Sequence, residues 1–217
     1  MKFFVIIKEK SERLPGKNFL KLGGIPLYRH LLKSLLVGNY EVFVDTDSDI
    51  ILKDLKHKQV TCYKRKKEFI ELENDKNFNV SPALLMIENF LDTHVEYENE
   101  IIVTPHVTSP FIELSTILDA CKKLSSHDTV QACTKHKEFA YYREKPINFD
   151  QSVVQRTQDL EPIIMGNGAF FIFTKKTFKE NKNRTGKNPY FYPLSFPENI
   201  EIDNKEDWEL AKRVYGK

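Results

Sequence analysis

The sequence is poor in the features that would place it outside the cytoplasm or on a nucleic acid. It has three cysteines in 217 residues, Cys62, Cys121 and Cys133. Their number is odd and none are in C-x-x-C spacing, so neither a disulfide framework nor a zinc site is indicated. No apolar run approaches the length of a membrane span. The apolar part of Met1 to Arg13 is too short for a signal peptide. An excess of one charge is missing too: 33 Lys and Arg against 31 Asp and Glu give a formal net charge of +2. That balance favours neither nucleic acid nor an acidic ligand. Internal repeats, low-complexity tracts and clear linkers are absent. The expectation is a protein of the reducing cytoplasm with no membrane or nucleic-acid partner. With 41% apolar and 29% charged residues the composition is ordinary for a soluble chain. The length fits one domain with a full core.

What is present gathers near the amino terminus. Phe3 to Ile7 is an unbroken β-branched and aromatic run, which predicts a strand buried on both faces. The chain then turns polar at once, with Lys8, Arg13 and Lys17 spaced around a Pro15-Gly16 corner. A loop at the carboxyl end of a parallel strand is where open α/β sheets bind ligands. Amides in a tight turn converge on one anion and arginine grips two oxygens at once, so such a loop suits phosphate. The Walker spacing is missing. On charge alone a solvated basic turn is the better reading.

Ser11-Glu12-Arg13-Leu14-Pro15-Gly16-Lys17-Asn18, followed by Leu22-Gly23-Gly24-Ile25-Pro26-Leu27, resembles the signature loop of the cytidylyltransferases that activate acidic sugars. These make CMP-sialic acid, CMP-3-deoxy-manno-octulosonate and their relatives. The S-x-R-L-P-G-K form is closer to the octulosonate branch and the Lys-Asn ending to the sialate branch. The similarity continues in order along nearly the whole chain. It implies an α/β three-layer nucleotidyltransferase fold (Rossmann-like) with a mostly parallel sheet. Residues 1–217 would form one domain, with a small dimerisation extension at about 139–163. The resemblance also implies CTP and a small acidic acceptor as substrates, Mg²⁺ as cofactor and a homodimer. Lys8, Arg13 and Lys17 would hold the triphosphate as catalytic cations, with Ser11 and Asn18 binding the nucleotide.

Further along, Leu27, Leu31, Leu32, Leu35 and Leu36 recur at helical spacing, with Pro26 at the first helical position. Glu41 to Thr46 predicts a second strand. Asp45-Thr46-Asp47-Ser48 resembles the family's Ser-Thr-Asp turn, but Asp47 or Ser48 also reads simply as the cap of a helix from about Asp49. Val60 to Tyr63 predicts a third strand. The Lys64-Arg65-Lys66-Lys67 run leads directly into Glu68, Glu71, Glu73 and Asp75, and mixed blocks of this kind are usually solvated. The resemblance places a nucleotide-contacting arginine here, best matched by Arg65. Ser81-Pro82 opens a helix carrying Leu84, Leu85, Ile87 and Leu91, where the family has a small hydroxyl residue beside the nucleotide.

Ile101 to Thr104 predicts the next buried strand. His106-Val107-Thr108-Ser109-Pro110-Phe111 resembles the sialate family's Q-P-T-S-P-L, which assigns His106, Thr108 and Ser109 to substrate binding. The octulosonate branch has a metal-binding Asp at the position of Thr108, and that ligand is absent. Ser109-Pro110 also reads as an N-cap and first helical residue ahead of Leu114, Ile117, Leu118 and Cys121. Thr129 to Thr134 predicts a strand. Between Phe139 and Gln155, Asn148-Phe149-Asp150 reads as a turn between two extended arms. Tyr141, Tyr142 and Val153-Val154 favour something covering this extension, a second subunit in the family. A hairpin folded on its own monomer fits the pattern nearly as well. Arg156-Thr157-Gln158-Asp159-Leu160 matches the family's R-x-Q-D-L, and Asn167-Gly168-Ala169 its N-G-A, so the resemblance adds Arg156, Gln158 and Asn167 to the substrate-binding set. Gly168 is expected to serve a positive φ or a close backbone approach.

Near the end, Glu201 and Asp203 are two apart and on a strand would share one face. A hard Mg²⁺ ion wants such oxygens beside phosphate oxygens and water. Asp203-x-x-Glu206 is also a near capping box. The family has Asp-x-Asp here with the second Asp as metal ligand, which makes Asp203 the first metal candidate and Glu201 the second. The implied reaction transfers CMP from CTP to an acidic sugar and releases pyrophosphate. Ile164-Met165 stand where the sialate enzymes carry an aromatic-Arg pair near the acceptor, which keeps open a phosphonate or polyol-phosphate acceptor. Lys8, His106 and Glu201 in place of the usual Arg, Gln and Asp keep open a degenerate, non-catalytic nucleotide-binding protein.

Overall fold

The computed structural model describes residues 1–75, 77–78, 80–153 and 155–216. In chain order it runs β1 (Lys2–Ile7), β2 (Lys21–Leu22), β3 (Ile25–Pro26), α1 (Leu27–Leu35), β4 (Glu41–Thr46) and α2 (Asp49–Leu55). Then come β5 (Thr61–Lys64), α3 (Lys67–Asn74), α4 (Pro82–His94), β6 (Ile101–Pro105), α5 (Leu114–Cys121) and β7 (Thr129–His136). The chain ends with β8 (Tyr141–Tyr142), β9 (Lys145–Pro146), β10 (Ile163–Thr174), α6 (Lys175–Asn181), β11 (Pro189–Pro193) and α7 (Lys205–Tyr215).

The central sheet has seven strands in the order β11-β7-β10-β6-β1-β4-β5. All neighbours are parallel except β10, which runs antiparallel to β6 and β7. Strand alternation sends β1 into both faces. Phe3, Val5 and Ile7 join one core with Leu31 and Leu35 of α1, Ile51 of α2 and Ile117 of α5. Phe4 points the other way, into a core with Phe69 of α3, Ile87 and Phe90 of α4 and Phe178 of α6. Its ring stacks on Phe90 at 4.3 Å between centroids. Helices on both faces of a mostly parallel sheet make three layers, as expected. Burying side chains of this size stabilises by about 1.5–3 kcal/mol each. A third apolar cluster, Leu22, Leu27, Ile200, Ile202 and Ala211, fastens α7 and the segment before it to the β2–β3 ribbon.

Several local expectations shift. Pro26 precedes α1 rather than opening it, because it pairs with Lys21 in the β2–β3 ribbon. Ser109-Pro110 lie in a turn, and Glu113 is the residue at the N-cap position of α5. The hairpin of the extension turns at Arg143-Glu144, not at Asn148–Asp150. Both turn residues have positive φ, 49° and 65°, the conformation that two-residue hairpins require. Asn148 instead accepts from the Ala140 amide at 3.0 Å and donates to the carbonyls of Glu138 and Glu161. Val154, expected to contribute to the same apolar surface, lies outside the described residues. The segment holding Glu201 and Asp203 is irregular rather than a strand. The cap of α7 falls one residue later than expected: Asn204 and Asp207 form the reciprocal box, which releases Asp203 from that duty.

Candidate active site

The basic loop leaves the carboxyl end of β1 and is held by its own polar groups. The Asp47 carboxylate accepts the Glu9 amide at 2.7 Å, and the Asn18 side chain donates to the Lys8 carbonyl at 2.7 Å. Gly16 takes φ 66°, a left-handed turn residue. Added atoms there would meet nothing within 4 Å, so the demand for glycine is conformational. Lys17 follows and is turned inward. Its ammonium donates to the Ile202 carbonyl at 2.9 Å and to Asp203 Oδ1 at 2.8 Å. Arg13 reaches the other oxygen of the same carboxylate at 2.8 Å while staying largely exposed. Lys8 pairs with Glu73 at 3.2 Å.

These residues border a cleft of about 440 Å³. Lys8, Ser11, Arg13, Lys17 and Asn18 line it from the loop, and Phe4, Ile6 and Thr104 from strands β1 and β6. Ser81, Pro82 and Ala83 add the start of α4, where unpaired amides favour negative charge. Glu73, Pro105, His106, Val107, Thr108 and Arg184 complete the lining. The side-chain oxygens of Asn18 and Thr104 are buried without a hydrogen-bond partner among the described residues. Orphaned polar atoms on a cleft are where a ligand or ordered water finds its bonds.

His106, Thr108 and Glu201 form a second constellation. Glu201 accepts from the Gly168 amide at 3.1 Å and from the Thr108 hydroxyl at 3.4 Å, and one of its oxygens lies 3.9 Å from His106 Nδ1. Burial raises the Glu201 pKa, but His106, the Gly168 amide and Thr108 outweigh it and leave the carboxyl below its ordinary value. The pairing of β7 and β10 is interrupted between Gly166 and Phe171, and Asn167-Gly168-Ala169 occupy the irregular stretch. Asn167 staples it, accepting from the Ala169 amide at 2.8 Å and donating to the Asn199 carbonyl at 2.9 Å. A side chain on Gly168 would run into Glu201, so close approach rather than positive φ explains this glycine.

Of the residues expected at the site, Lys8, Ser11, Arg13, Lys17, Asn18, Ser81, His106 and Thr108 line the cleft. Asp203 and Glu201 touch it through Lys17, Arg13 and Thr108. Arg65 does not reach it. Its side chain is fully buried, donating to Asp45 at 2.6 Å, to Glu73 at 2.8 Å and to the carbonyls of Ile7 and Asp45. A guanidinium so committed has little left for a nucleotide. Ser109 is buried away from the lining, and Asn167 is taken up by the irregular stretch of β10. Arg156 pairs with Asp159 on the surface at 2.7 Å, and the Gln158 carbonyl accepts from Lys137. Neither lines the cleft.

Three contributors were not anticipated as such. Asp47 anchors the loop, Glu73 joins Arg65 to Lys8, and Arg184 lines the cleft from the turn before β11. Nothing in spacing separates Arg184 from its exposed neighbours Lys182 and Lys187. Among the described residues no three carboxylate, imidazole or thiol groups converge as a metal cage.

A family described as Cytidylyltransferase matches residues 5–215. N-acylneuraminate cytidylyltransferase of Streptococcus agalactiae serotype III is 28% identical over 211 residues, covering 91% of this chain and 49% of that protein. The chain thus spans about half the length of that relative. CMP-N,N'-diacetyllegionaminic acid synthase of Legionella pneumophila is also 28% identical, covering 94% of this chain and 91% of its own length. Among solved structures, CMP:2-keto-3-deoxy-manno-octonic acid synthetase complexed with CTP superimposes with a TM-score of 0.66 at 13% identity, covering 99% of this chain and 97% of its own. That likeness establishes the fold. With the family match running from β1 through α7, this chain belongs to the cytidylyltransferase family.

Proposed function

We propose that this chain transfers CMP from CTP to an acidic sugar, with release of pyrophosphate. The observation that carries the reading is the convergence of three cations from one loop, Lys8, Arg13 and Lys17, on a cleft of nucleotide size. The S. agalactiae and L. pneumophila relatives, named for acidic nonulosonate substrates, support the acceptor class. An acceptor oxygen would attack the α-phosphorus as the bond to the β-phosphate breaks. Negative charge then builds on the non-bridging and leaving oxygens, where fixed cations are most effective.

In the free protein Asp203 occupies both Lys17 and Arg13. Arg13 is the exposed member of that pair, so a triphosphate would draw it away at little cost while Lys17 keeps its hold on the Ile202 carbonyl. Orphaned Asn18 and Thr104 oxygens offer acceptors to the hydroxyl or amino groups of a nucleoside. Glu73 lines the cleft but is taken up by Lys8 and Arg65. With Asp203 and Glu201 as the remaining carboxylates among the described residues near it, a hard cation would take most of its ligands from phosphate and water, a donor set that suits Mg²⁺. Bound there, Mg²⁺ would supply charge neutralisation and a lowered pKa for the acceptor hydroxyl.

We also propose that the chain works as a cytoplasmic homodimer. No helix among the described residues is long and apolar enough to cross a membrane. Phe139, Tyr141, Tyr142, Ile147 and Val153 leave an apolar face exposed on the extension. A second subunit would bury it, and light scattering at micromolar concentration should give twice the chain mass; a monomer with and without CTP overturns this assignment. The reading as a whole is tested by pyrophosphate release with Mg²⁺ and each nucleoside triphosphate against acidic sugars, phosphonates and polyol phosphates. Turnover restricted to CTP and acidic sugars is the expected result. Absence of turnover with all of them would leave a nucleotide-binding protein.

A further inference from the structure

Arg184 carries the plainest unsatisfied charge on the cleft. Its turn is rigidly built. The Asn183 side chain accepts from the amides of Thr185 and Gly186, both at 2.9 Å, and the Asp128 carboxylate accepts from those of Lys187 and Asn188. The guanidinium sits over the Phe171 ring, with its central carbon 3.7 Å from the ring centroid. A contact this close restrains the guanidinium against the ring. One of its nitrogens donates to His106 Nε2 at 3.4 Å. That bond requires an unprotonated Nε2, which places the proton of a neutral imidazole on Nδ1, facing Glu201. Burial pulls the Arg184 pKa down to about 10, with the Glu201 charge opposing the shift. Among the described residues it makes no ion pair.

Arginine has five donors, and one long bond to an imidazole leaves most of them unused. A desolvated cation without a counter-ion is costly unless something supplies the anion. The three loop cations differ in this respect, since each already has a carboxylate: Asp203 for Lys17 and Arg13, Glu73 for Lys8. Arg184 instead sits with His106, Phe171 and Glu201, apart from the phosphate-type loop.

We propose that Arg184 binds the carboxylate of the acceptor, making it the residue that selects acids over neutral sugars. The inference rests on the acidic-sugar reading above and gives that reading its recognition element. A planar carboxylate matches the guanidinium fork with two parallel hydrogen bonds, and contact with Phe171 holds the fork ready. Thr108 lines the same cleft, where its long bond to Glu201 could be exchanged for one to the sugar.

The test uses N-acylneuraminate, its carboxamide and a polyol phosphate as acceptors, with the full chain and the variants Arg184→Gln and Arg184→Lys. Wild type is expected to turn over the acid and to lose roughly tenfold to a hundredfold in acceptor kcat/KM with the carboxamide. Arg184→Gln should lose a similar factor with the acid, chiefly in KM, and discriminate no further between acid and carboxamide. Arg184→Lys should recover part of the loss. CTP affinity by calorimetry should stay within about twofold, and the melting temperature of Arg184→Gln should not fall, since an unpaired charge has been removed. An unchanged acceptor KM in Arg184→Gln overturns the inference and leaves the acidic-sugar reading standing. A loss of CTP affinity equal to the loss for the acceptor overturns it as well and moves Arg184 to the triphosphate. Turnover with the polyol phosphate but no acidic sugar overturns both readings.

Discussion

The surroundings of Arg65 and of Arg184 make an instructive pair. Arg65 is fully buried and Arg184 partly so; Arg65 has two carboxylates and two carbonyls, whereas Arg184 has a single imidazole and an aromatic face. The first is a closed structural knot between β1, β4 and α3. The second lines a cleft with most of its donors unused. Partners as well as depth separate a committed arginine from an open one.

Substitutions should pull the two regions apart, and the largest effect is expected at Arg65. Arg65→Met would leave Asp45 as a buried charge without a partner and Glu73 with Lys8 alone, a loss of about 3–5 kcal/mol. Denaturant unfolding should show that loss, while Arg184→Met should unfold at no lower denaturant concentration than wild type. Equal stability of the two variants would erase the distinction.

Lys17 stands between these extremes, being buried and paired with a carboxylate that a ligand can replace. Lys17→Met should reduce turnover by about 2–4 kcal/mol of transition-state stabilisation, by analogy with a lost oxyanion donor. Its melting temperature should move much less than that of Arg65→Met. Normal turnover in a folded Lys17→Met protein would remove Lys17 from the chemistry.

Asp203 inverts the Arg65 arrangement, a carboxylate between two cations. Asp203→Asn should keep α7, because Asn204 and Asp207 hold its cap, and should lower activity at least tenfold at ordinary Mg²⁺, or about 1.4 kcal/mol. Partial recovery at high Mg²⁺ is expected in a titration of initial rate, and full activity at ordinary Mg²⁺ would shift attention to Glu201. The smallest change belongs to the cap itself. Asn204→Ala should cost about 1 kcal/mol of stability with the rate unaltered. Circular dichroism melts together with pyrophosphate assays separate these two neighbouring positions.

The legible parts of the chain are those whose reasons are local. Phe3 to Ile7 and Glu41 to Thr46 read as strands because β-branched and aromatic runs fit a pleated, covered surface. The cations of the basic loop were visible because they stand within ten residues of one another. Arg65 was misplaced because its partners, Asp45 and Glu73, come to it only when β4 and α3 flank β5. The hairpin turn was misplaced because Asn148, a good turn residue, spends its side chain on Glu138, Ala140 and Glu161 instead. Meanwhile Arg143 and Glu144 adopt left-handed backbone that their residue types do not advertise. The α7 cap slipped by one residue because Asn and Asp are near-equivalent in that role. Arg184 gave no signal at all, since its environment is assembled from β6, β10 and the carboxyl-terminal segment.

Gly168 has one more consequence. Any side chain there would run into Glu201 and come within 3.0 Å of His106 Nδ1. Both neighbours are side-chain ends, so a methyl at this position would displace the Glu201 carboxylate rather than the backbone that carries it. The bare glycine thus acts as a seat for one carboxylate, which the Gly168 amide holds at 3.1 Å. Filling that seat would rearrange Glu201, His106 and Thr108 together, whereas changes at Thr108 or in the turn that carries Arg184 leave it occupied.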